Sequence, residues 1–359
     1  MAALHSGQVL GAYKIVRLLN VGGHGAVYEA ALLSDPSERV AIKTLHEELS
    51  SHPEISARFR REANVGQKLV HPRIASVIEY GYAEHPEHTA YIVMELIEGE
   101  SLKKYIRRIG GRIPDTMCVR IFEQISDAII YAHENGVIHR DLKLGNVMII
   151  GQPGPQEVPN IKLLDFGIAK AIGPEFTAIQ TKNSGNILGT YEYMSPEQFT
   201  NLADISTQTD VYSLGVMLYY SISGKLPFNV PEAEKLPSAK LAAEYYKLHT
   251  AAVPPPLPRD INSELGELIM QMLAKEPNAR PNMRAVRKKL HDLAKRNHIS
   301  EEPTRLTSEA GEPTAMVPES STIIPAIPAK WTGRERTLMF IGAVILVWAI
   351  IATLLHALK

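Results

Sequence analysis

The sequence predicts an α+β fold in two lobes, in which short strands dominate residues 13–97 and helices dominate residues 98–296. The runs at 40–43 and 91–97 are short and largely apolar, which is typical of buried strands. Over 117–128, in contrast, apolar residues recur every three or four positions, as on one face of a helix. Hydrophobic residues make up 45% of the 359-residue chain, which is enough for a large core.

Composition narrows the class of protein. The formal net charge of −1 at pH 7 argues against a nucleic-acid partner, which normally requires a basic excess. The single cysteine, Cys118, cannot form an intramolecular disulfide and suits a reducing compartment. Residues 1–12 are predicted to be a short N-terminal extension, without the basic start and apolar stretch of a signal peptide.

A glycine-rich loop joins two predicted strands at 13–19 and 27–32. Glycines let a backbone approach phosphates closely and adopt positive φ, which suits a loop that covers a nucleotide, although most such loops are simply hairpin turns. Asn20 occupies the first glycine position of the nucleotide-binding pattern, and asparagine tolerates left-handed backbone geometry better than most residues. The candidate nucleotide contacts in this loop are Asn20, Val21, Gly22, Gly23, His24, Gly25 and Val27.

Lys43 and Glu62 are predicted to form an ion pair. Lys43 is the one charged residue of the apolar run at 40–43, where it could also mark the end of a strand with its ammonium group in water. A helix is predicted after it, because five residues recur at helical spacing and so lie on one face: Ile55, Phe59, Glu62, Gly66 and Leu69. A carboxylate on this apolar face needs a counter-ion, and Lys43 is the candidate.

The polar loop at 139–146 is the strongest candidate for catalytic chemistry. It joins an apolar helix to an apolar strand at 147–150, so its charged groups are costly unless they have partners. Asp141 can accept a proton from an attacking hydroxyl, Asn146 can bind a metal, and Lys143 can neutralise a moving phosphoryl group.

A second metal ligand is predicted at Asp165, which follows an apolar strand at 161–164 and forms the sequence Asp-Phe-Gly with the next two residues. Asp165 is expected to hold Mg²⁺ between phosphates. Phe166 is expected to pack against the helix that carries Glu62. Placed soon after the 139–146 loop, this tripeptide is a specific signal.

Residues 169–188 are polar and interrupted by Gly and Pro, which indicates a mobile loop. Its candidate phosphorylation sites are Thr177, Thr181 and Ser184. Arg140, next to Asp141, is a positive charge that a phosphothreonine of this loop could pair with. We therefore expect neighbouring molecules to phosphorylate each other here.

Two charged residues of the C-terminal part each have two interpretations. Asp210 begins an apolar helix at 210–221, where an acid suits the helix dipole, or it could accept N–H bonds from the 139–146 loop and hold it rigid. Arg280 could be a surface charge or half of a buried ion pair with Glu197.

The end of the chain is predicted to be a linker followed by a membrane span. Residues 297–336 mix proline with Ser, Thr and Glu without periodicity, which is typical of disorder. Residues 337–358 contain no Asp, Glu, Lys or Arg, and a helix of that length at roughly 1.5 Å per residue spans a bilayer core. A buried core helix is the alternative. Basic residues precede the span, so the expected localisation is the cell membrane, with a single-pass tail anchor and a cytoplasmic N-terminal part.

With these motifs in order, residues 13–294 closely resemble the eukaryotic-like serine/threonine protein kinases of bacteria. The resemblance implies a bilobal protein kinase fold, with an antiparallel sheet and one regulatory helix in the N-lobe (13–97) and a mainly helical C-lobe (98–296). It implies ATP and Mg²⁺ as cofactors, with Mn²⁺ as a substitute. Lys143, two residues after Asp141, is typical of the serine/threonine type.

The resemblance also implies a role for each motif position, with Asp141 as the catalytic base and Met94 as the gatekeeper. The implied catalytic residues are Lys43, Glu62, Asp141, Lys143 and Asn146. The implied metal ligands are Asn146 and Asp165. The implied ATP contacts beyond the glycine-rich loop are Ala41, Lys43, Met94, Glu95 and Ile97. Structural and regulatory roles fall on Arg140, Phe166, Gly167, Thr190, Glu197, Asp210 and Arg280.

The expected function is transfer of the γ-phosphoryl group of MgATP to serine or threonine hydroxyls of proteins, including other copies of itself, in membrane-associated signalling. The alternative is a catalytically silent pseudokinase scaffold at the membrane, which only the Asn20 substitution supports. A small-molecule phosphotransferase of similar fold is a third interpretation, but such enzymes generally lack the peptide platform present at 189–197. Leu144 replaces the usual proline of the catalytic loop, and we expect it to slow catalysis or make it more selective at most.

Overall fold

The structure is a computed structural model, and it describes residues 4–21, 25–45, 53–83, 89–154, 157–166, 191–200 and 204–300. All of these fall within the first of the two units into which the chain divides, Met1–Pro303. The second unit, Thr304–Lys359, lies outside the described residues.

Six antiparallel strands form the N-lobe sheet, in the order β1-β2-β3-β4-β6-β5. Their bounds are β1 Val9–Leu10, β2 Tyr13–Val21, β3 Gly25–Leu32, β4 Arg39–Leu45, β5 Val77–Ala83 and β6 Thr89–Glu95. Successive side chains of a strand point to opposite faces, so Ile42 joins one apolar cluster and Ala41 joins another across the sheet. The sheet therefore separates two small cores, and Lys43 lies in its central part, paired in register with Ile92.

Helix α1 (Pro53–Gly66) packs against this sheet through Ile55, Phe59 and Ala63, which are all buried. The predicted extension of the helix to Leu69 is wrong, because the helix ends at Gly66 and the chain turns there. The main-chain N–H of Leu69 donates to the carbonyl of Gly66 at 3.1 Å, and Leu69 joins the core of the other lobe.

The C-lobe is mainly helical, as predicted. Its helices are α2 Leu102–Arg108, α3 Asp115–Glu134, α4 Pro196–Thr200, α5 Thr207–Ser223, α6 Ser238–Ala251, α7 Ser263–Met272 and α8 Met283–Ser300. Three short 3-10 turns lie at Leu144–Asn146, Ala233–Lys235 and Pro277–Ala279. A second, three-stranded sheet combines β7 Gly99–Ser101, β8 Val147–Ile150 and β9 Ile161–Leu163.

Helix α5 is the centre of the C-lobe core, with nearly every residue buried. The Ser206 side chain caps its first turn by accepting the N–H of Gln208, and Gly224 ends it at φ 74°, a conformation that favours glycine. Helices α3 and α7 pack against it. Ser101 caps α2 as predicted, accepting the N–H of Lys104 at 3.3 Å.

Strands β1, β5 and β7 and helices α6 and α8 were not predicted from the sequence. In β5 one glutamate and one glycine interrupt the apolar residues and the run does not alternate strictly between apolar and polar positions, so the strand signal is weak. In α6 the buried face is one narrow row, Leu241, Tyr245 and His249. Helix α8 continues to Ser300, past the predicted domain boundary at 296. Among the described residues no helix is long and apolar enough to cross a bilayer, and the predicted linker beyond 300 and the span at 337–358 lie outside them.

Candidate active site

Lys43 of β4 contacts two carboxylates from distant parts of the chain. Its Nζ lies 2.8 Å from Oε1 of Glu62 in α1 and 3.1 Å from Oδ1 of Asp165, just after β9. Burial disfavours the ammonium, but the charges of Asp165 and Glu62 outweigh it and raise the pKa of Lys43. One cation thus serves two carboxylates, whose pKa values shift in opposite directions. Burial would raise the pKa of Asp165, but the charge of Lys43 outweighs burial and lowers it. The pKa of Glu62 stays raised, because burial and the negative charge of Asp165 outweigh the effect of Lys43.

The polar side chains of the 139–146 loop bond to one another. Lys143 Nζ donates to Oδ2 of Asp141 at 3.0 Å, and Asn146 Nδ2 donates to the same oxygen at 3.2 Å. Nδ2 of Asn146 also donates to the Asp141 carbonyl at 2.9 Å, which leaves the amide oxygen of Asn146 as a potential ligand. The N–H of Leu164 donates to the Asn146 carbonyl at 2.8 Å, so this loop is tied to the segment that carries Asp165.

Asp210 is fully buried at the start of α5 and accepts three hydrogen bonds from the region of the loop. Its carboxylate accepts the main-chain N–H of His139 at 2.8 Å and that of Arg140 at 2.9 Å. The ring Nε2 of His133, at the end of α3, lies 2.7 Å from Oδ2 of Asp210. Of the two interpretations of Asp210, the geometry therefore favours the one in which its carboxylate accepts N–H bonds from the 139–146 loop and holds the loop rigid, over an effect on the helix dipole alone.

Two residues near the reacting groups have left-handed backbones without being glycine. These are Arg140, at φ 63°, and Asp165, at φ 45°. Such conformations cost about 1–3 kcal/mol each and persist only where the surroundings fix them. His139 helps to do so: its ring contacts the Phe166 ring in a tilted arrangement with centroids 4.7 Å apart, and its Nε2 lies 3.1 Å from the Leu164 carbonyl. Burial lowers the pKa of His139, so this ring stays neutral at neutral pH.

Glu197 and Arg280 form a buried ion pair below the loop. The two guanidinium NH₂ groups of Arg280 donate to the two carboxylate oxygens of Glu197 at 2.8 and 2.9 Å. Thr209 Oγ1 donates to Glu197 at 2.8 Å, and Gln198 Nε2 donates to the Arg140 carbonyl at 2.9 Å. The pair thus fixes helix α4, and α4 in turn supports the catalytic loop.

The candidate ATP contacts that the structure describes lie on strands β2, β3, β4 and β6 and just after β6. Ala41 and Met94 are buried and face each other in register between β4 and β6, and Val27 and Ile97 are half-buried. Gly25 needs to be glycine, because a Cβ there would lie 1.7 Å from the Thr44 carbonyl oxygen. The sequence suggests a left-handed backbone at Asn20, and the structure corrects this. Asn20 pairs with Val27 within the extended strand β2 and does not have positive φ.

Phe166 and two residues of helix α1 line the same small cavity. The cavity has a volume of about 30 Å³, and its lining residues include Glu62, Gly66, Met94, Asp165 and Phe166. Phe166 thus lies near α1, and among the described residues its ring contacts that of His139.

Several predicted site residues lie outside the described residues. They are Gly22, Gly23, His24, Gly167, Thr177, Thr181, Ser184 and Thr190. Arg140 is described and half-buried, and the described part of the chain contains no carboxylate that forms an ion pair with its guanidinium group.

The sequence analysis did not identify three residues whose side chains contact the predicted site residues: His133, Gln198 and Lys162. His133 sits in the last turn of α3, where a cationic group suits the helix dipole, and this was the available signal. Lys162 is the one charge in an apolar strand, and its Nζ pairs with Glu95 at 2.5 Å, so the Glu95 side chain is engaged there. Gln198 follows Ser195 by three residues, which is the spacing of a capping box, and its Oε1 accepts the Ser195 N–H at 2.9 Å, so a local signal for this contact was available. Its bond to the Arg140 carbonyl, 58 residues away, has no such signal.

The oxygen donors fit a hard divalent cation. Asp165 and Asn146 supply a carboxylate and an amide oxygen, and Mg²⁺ is usually bound by one or two such groups together with substrate phosphates. The described residues hold no cluster of three or more His, Cys, Asp or Glu that could bind a metal by themselves. Water and the phosphate oxygens of a nucleotide would supply the remaining ligands.

A two-lobed fold with these groups at its cleft defines a protein kinase domain, and the protein kinase domain family matches residues 13–291. The chain belongs to this family. Serine/threonine-protein kinase PknA of Mycobacterium tuberculosis is 40% identical over 272 residues, which cover 75% of this chain and 58% of PknA. Serine/threonine-protein kinase PrkC of Bacillus subtilis is 38% identical over 238 residues, which cover 66% of this chain and 34% of PrkC.

The chain therefore spans 58% or less of the length of these two curated relatives. A crystal structure of the Mycobacterium tuberculosis PknI kinase domain superimposes with a TM-score of 0.58 at 25% identity. That match covers 81% of this chain and 99% of the crystallised domain.

Proposed function

We propose that the chain is a serine/threonine protein kinase that transfers the γ-phosphoryl group of MgATP to hydroxyls of proteins. The carrying observation is that Lys43 contacts Asp165 while the charges of Lys143 and Asp141 also act on the Asp165 carboxyl. Groups from three separate segments thus meet at one cleft. The kinship with relatives named serine/threonine-protein kinases supports the same proposal.

In the proposed reaction, the acceptor oxygen bonds to the γ-phosphorus while the bond to the β-phosphate oxygen breaks and ADP leaves. Asp141 accepts the proton of the acceptor hydroxyl, and Lys143 offsets charge on the transferred group. Asn146 and Asp165 would hold Mg²⁺, which would neutralise charge on the phosphates. Lys43, oriented by Glu62, exchanges its contact with Asp165 for the phosphates of the nucleotide.

The experiment that tests this function is labelling of the full chain with γ-labelled ATP and Mg²⁺, using one acidic and one basic protein as acceptors. We expect phosphoserine or phosphothreonine, and no phosphotyrosine, after hydrolysis of the labelled acceptor. Absence of any label from both acceptors and from the chain itself would support the pseudokinase alternative.

We further propose that neighbouring molecules phosphorylate one another at Thr177, Thr181 or Ser184. The support is Arg140, a half-buried cation adjacent to the proposed base and without an ion pair among the described residues. A phosphate would supply the missing counter-charge. Mass spectrometry of active enzyme is expected to find at least one of the three modified, and finding all three unmodified would contradict this proposal.

We also propose that residues 337–358 anchor the kinase in the cell membrane, with the kinase domain on the cytoplasmic side. The support is the uncharged run itself and the basic residues that precede it. Deleting residues 337–359 is expected to move the protein from the membrane fraction to the soluble fraction with its activity intact. A truncated protein that stays with the membranes would contradict the anchor.

A further inference from the structure

The short helix α2 has a basic outer face. Its buried residues, which face the C-lobe core, are Leu102, Tyr105 and Ile106. All four of its other residues are cationic, namely Lys103, Lys104, Arg107 and Arg108. Neither the fold nor the proposed chemistry accounts for a helix with cations at every position outside the core.

Of these four cations, Arg108 has a counter-ion, because its guanidinium group lies 2.7 Å from Oε1 of Glu100. In the described part of the chain, Lys103, Lys104 and Arg107 form no such ion pair. These three residues are called the basic face below. Lys104 and Arg107 are exposed, and Lys103 is half-buried.

Helix α2 lies beside the catalytic loop, and two cations of its basic face lie near the segment that leads into α4. Helix α2 packs against the 3-10 turn Leu144–Asn146 of the catalytic loop and against β8. Lys103 and Arg107 are four residues apart and so share one side of the helix. Both act electrostatically on Glu192, which lies next to Tyr191 and Tyr193 in the segment leading into α4.

The charges do not balance there. Glu192 is half-buried and is a single carboxylate set against two cations, Lys103 and Arg107. The exposed Lys104 adds a third positive charge on the same helix. A peptide that reached Asp141 between the catalytic loop and the 191–197 segment would pass this positive excess. Acidic side chains would supply the missing counter-charges, whereas basic ones would be repelled.

We infer that Lys103, Lys104 and Arg107 form a subsite for carboxylate side chains of the acceptor protein, so that serines or threonines flanked by Asp or Glu are preferred. This inference rests on the proposed kinase function, since it names the substrate class of that same site. The basic face selects the acceptor and takes no part in the transfer step.

The test uses the full chain and three synthetic peptides with one central threonine, flanked by glutamates, by alanines or by lysines. We expect kcat/KM for the glutamate peptide to exceed that for the lysine peptide by about tenfold, because each exposed ion pair changes an affinity only a few-fold. The difference should lie in KM more than in kcat, and it should shrink as salt is added.

The variant Lys103→Glu with Arg107→Glu should invert the ratio, so that the lysine peptide becomes the better substrate. A misfolded variant would lose activity on both peptides, so inversion cannot come from misfolding. The matched control is Lys240→Glu with Lys288→Glu, which changes the net charge equally at two exposed lysines outside the site and should keep the wild-type preference.

Equal kcat/KM for the glutamate and lysine peptides, or a preference that survives the charge reversal, would overturn the inference while leaving the kinase function intact. A lower KM for a peptide flanked by phosphothreonine than for the glutamate peptide would also overturn it, because the subsite would then be one for phosphate. Failure of the function itself is distinguishable, because then none of the peptides would be phosphorylated by wild-type protein.

Discussion

Asp141→Asn is expected to lower kcat for phosphoryl transfer by about 10²–10⁴-fold while leaving the affinity for MgATP nearly unchanged. The substitution removes the group that accepts the hydroxyl proton, but an amide oxygen can still accept the bond that Lys143 now donates at 3.0 Å. The measurement is steady-state transfer to a protein acceptor, with nucleotide binding followed separately.

Asp292→Asn is the matched control for that variant, since it makes the same chemical change at an exposed carboxylate on α8. It should retain wild-type kcat. Wild-type transfer by Asp141→Asn would remove Asp141 from the role of base.

Arg280→Leu is expected to lower the free energy of unfolding by about 3–5 kcal/mol, because it leaves a buried carboxylate without its partner. Arg280 donates to both oxygens of Glu197 and to three main-chain carbonyls, those of Ala274, Gln208 and Lys275, at 2.8–2.9 Å. Urea denaturation followed by circular dichroism measures the change.

The control is Arg284→Leu, which removes one side of an exposed ion pair with Glu134 and should cost about 1 kcal/mol or less. Removing both charges, in Glu197→Leu with Arg280→Leu, should recover part of the loss. If Arg280→Leu were no more destabilising than Arg284→Leu, the buried ion pair would not make the proposed contribution to the free energy of unfolding.

The same pair makes stability depend on pH with a definite sign. Burial raises the pKa of Glu197, but Arg280 outweighs burial and holds it below the ordinary value of 4.5. The stabilisation is therefore fully present above pH 4.5 and is lost as the pH falls through the lower folded pKa. Wild-type protein should show this acid loss, and Arg280→Leu should lack it.

Local patterns were enough to predict much of the site. The loop at 139–146 and the tripeptide at Asp165 are contiguous, and the Lys43–Glu62 pairing follows from helical spacing plus the cost of an unpaired buried carboxylate. The period of the apolar residues predicts strands in the first lobe and helices in the second, although it does not reveal β1, β5, β7, α6 or α8.

What could not be predicted depends on contacts between distant segments. Two interpretations of Asp210 stayed open because its partners His139 and Arg140 lie about 70 residues away, and only the fold brings them within hydrogen-bonding distance. His133 was missed because it also bonds across that distance. Strand β5 was missed because Glu79 and Gly81 interrupt its strand-favouring Val, Ile and Tyr residues, so the run is recognised as a strand only from its pairing with β6.

The central claim is that Lys43, Asp165, Asn146 and Asp141 share one cleft for a nucleotide and a divalent cation. Titration calorimetry of ATP into the full chain, with and without Mg²⁺, tests it most directly when wild-type protein is compared with Asp165→Asn. Mg²⁺ should tighten ATP binding to the wild type, and the variant should lose that tightening because its metal ligand is gone. An ATP affinity that is the same with and without Mg²⁺, or a variant that keeps the full effect of Mg²⁺, would contradict the account.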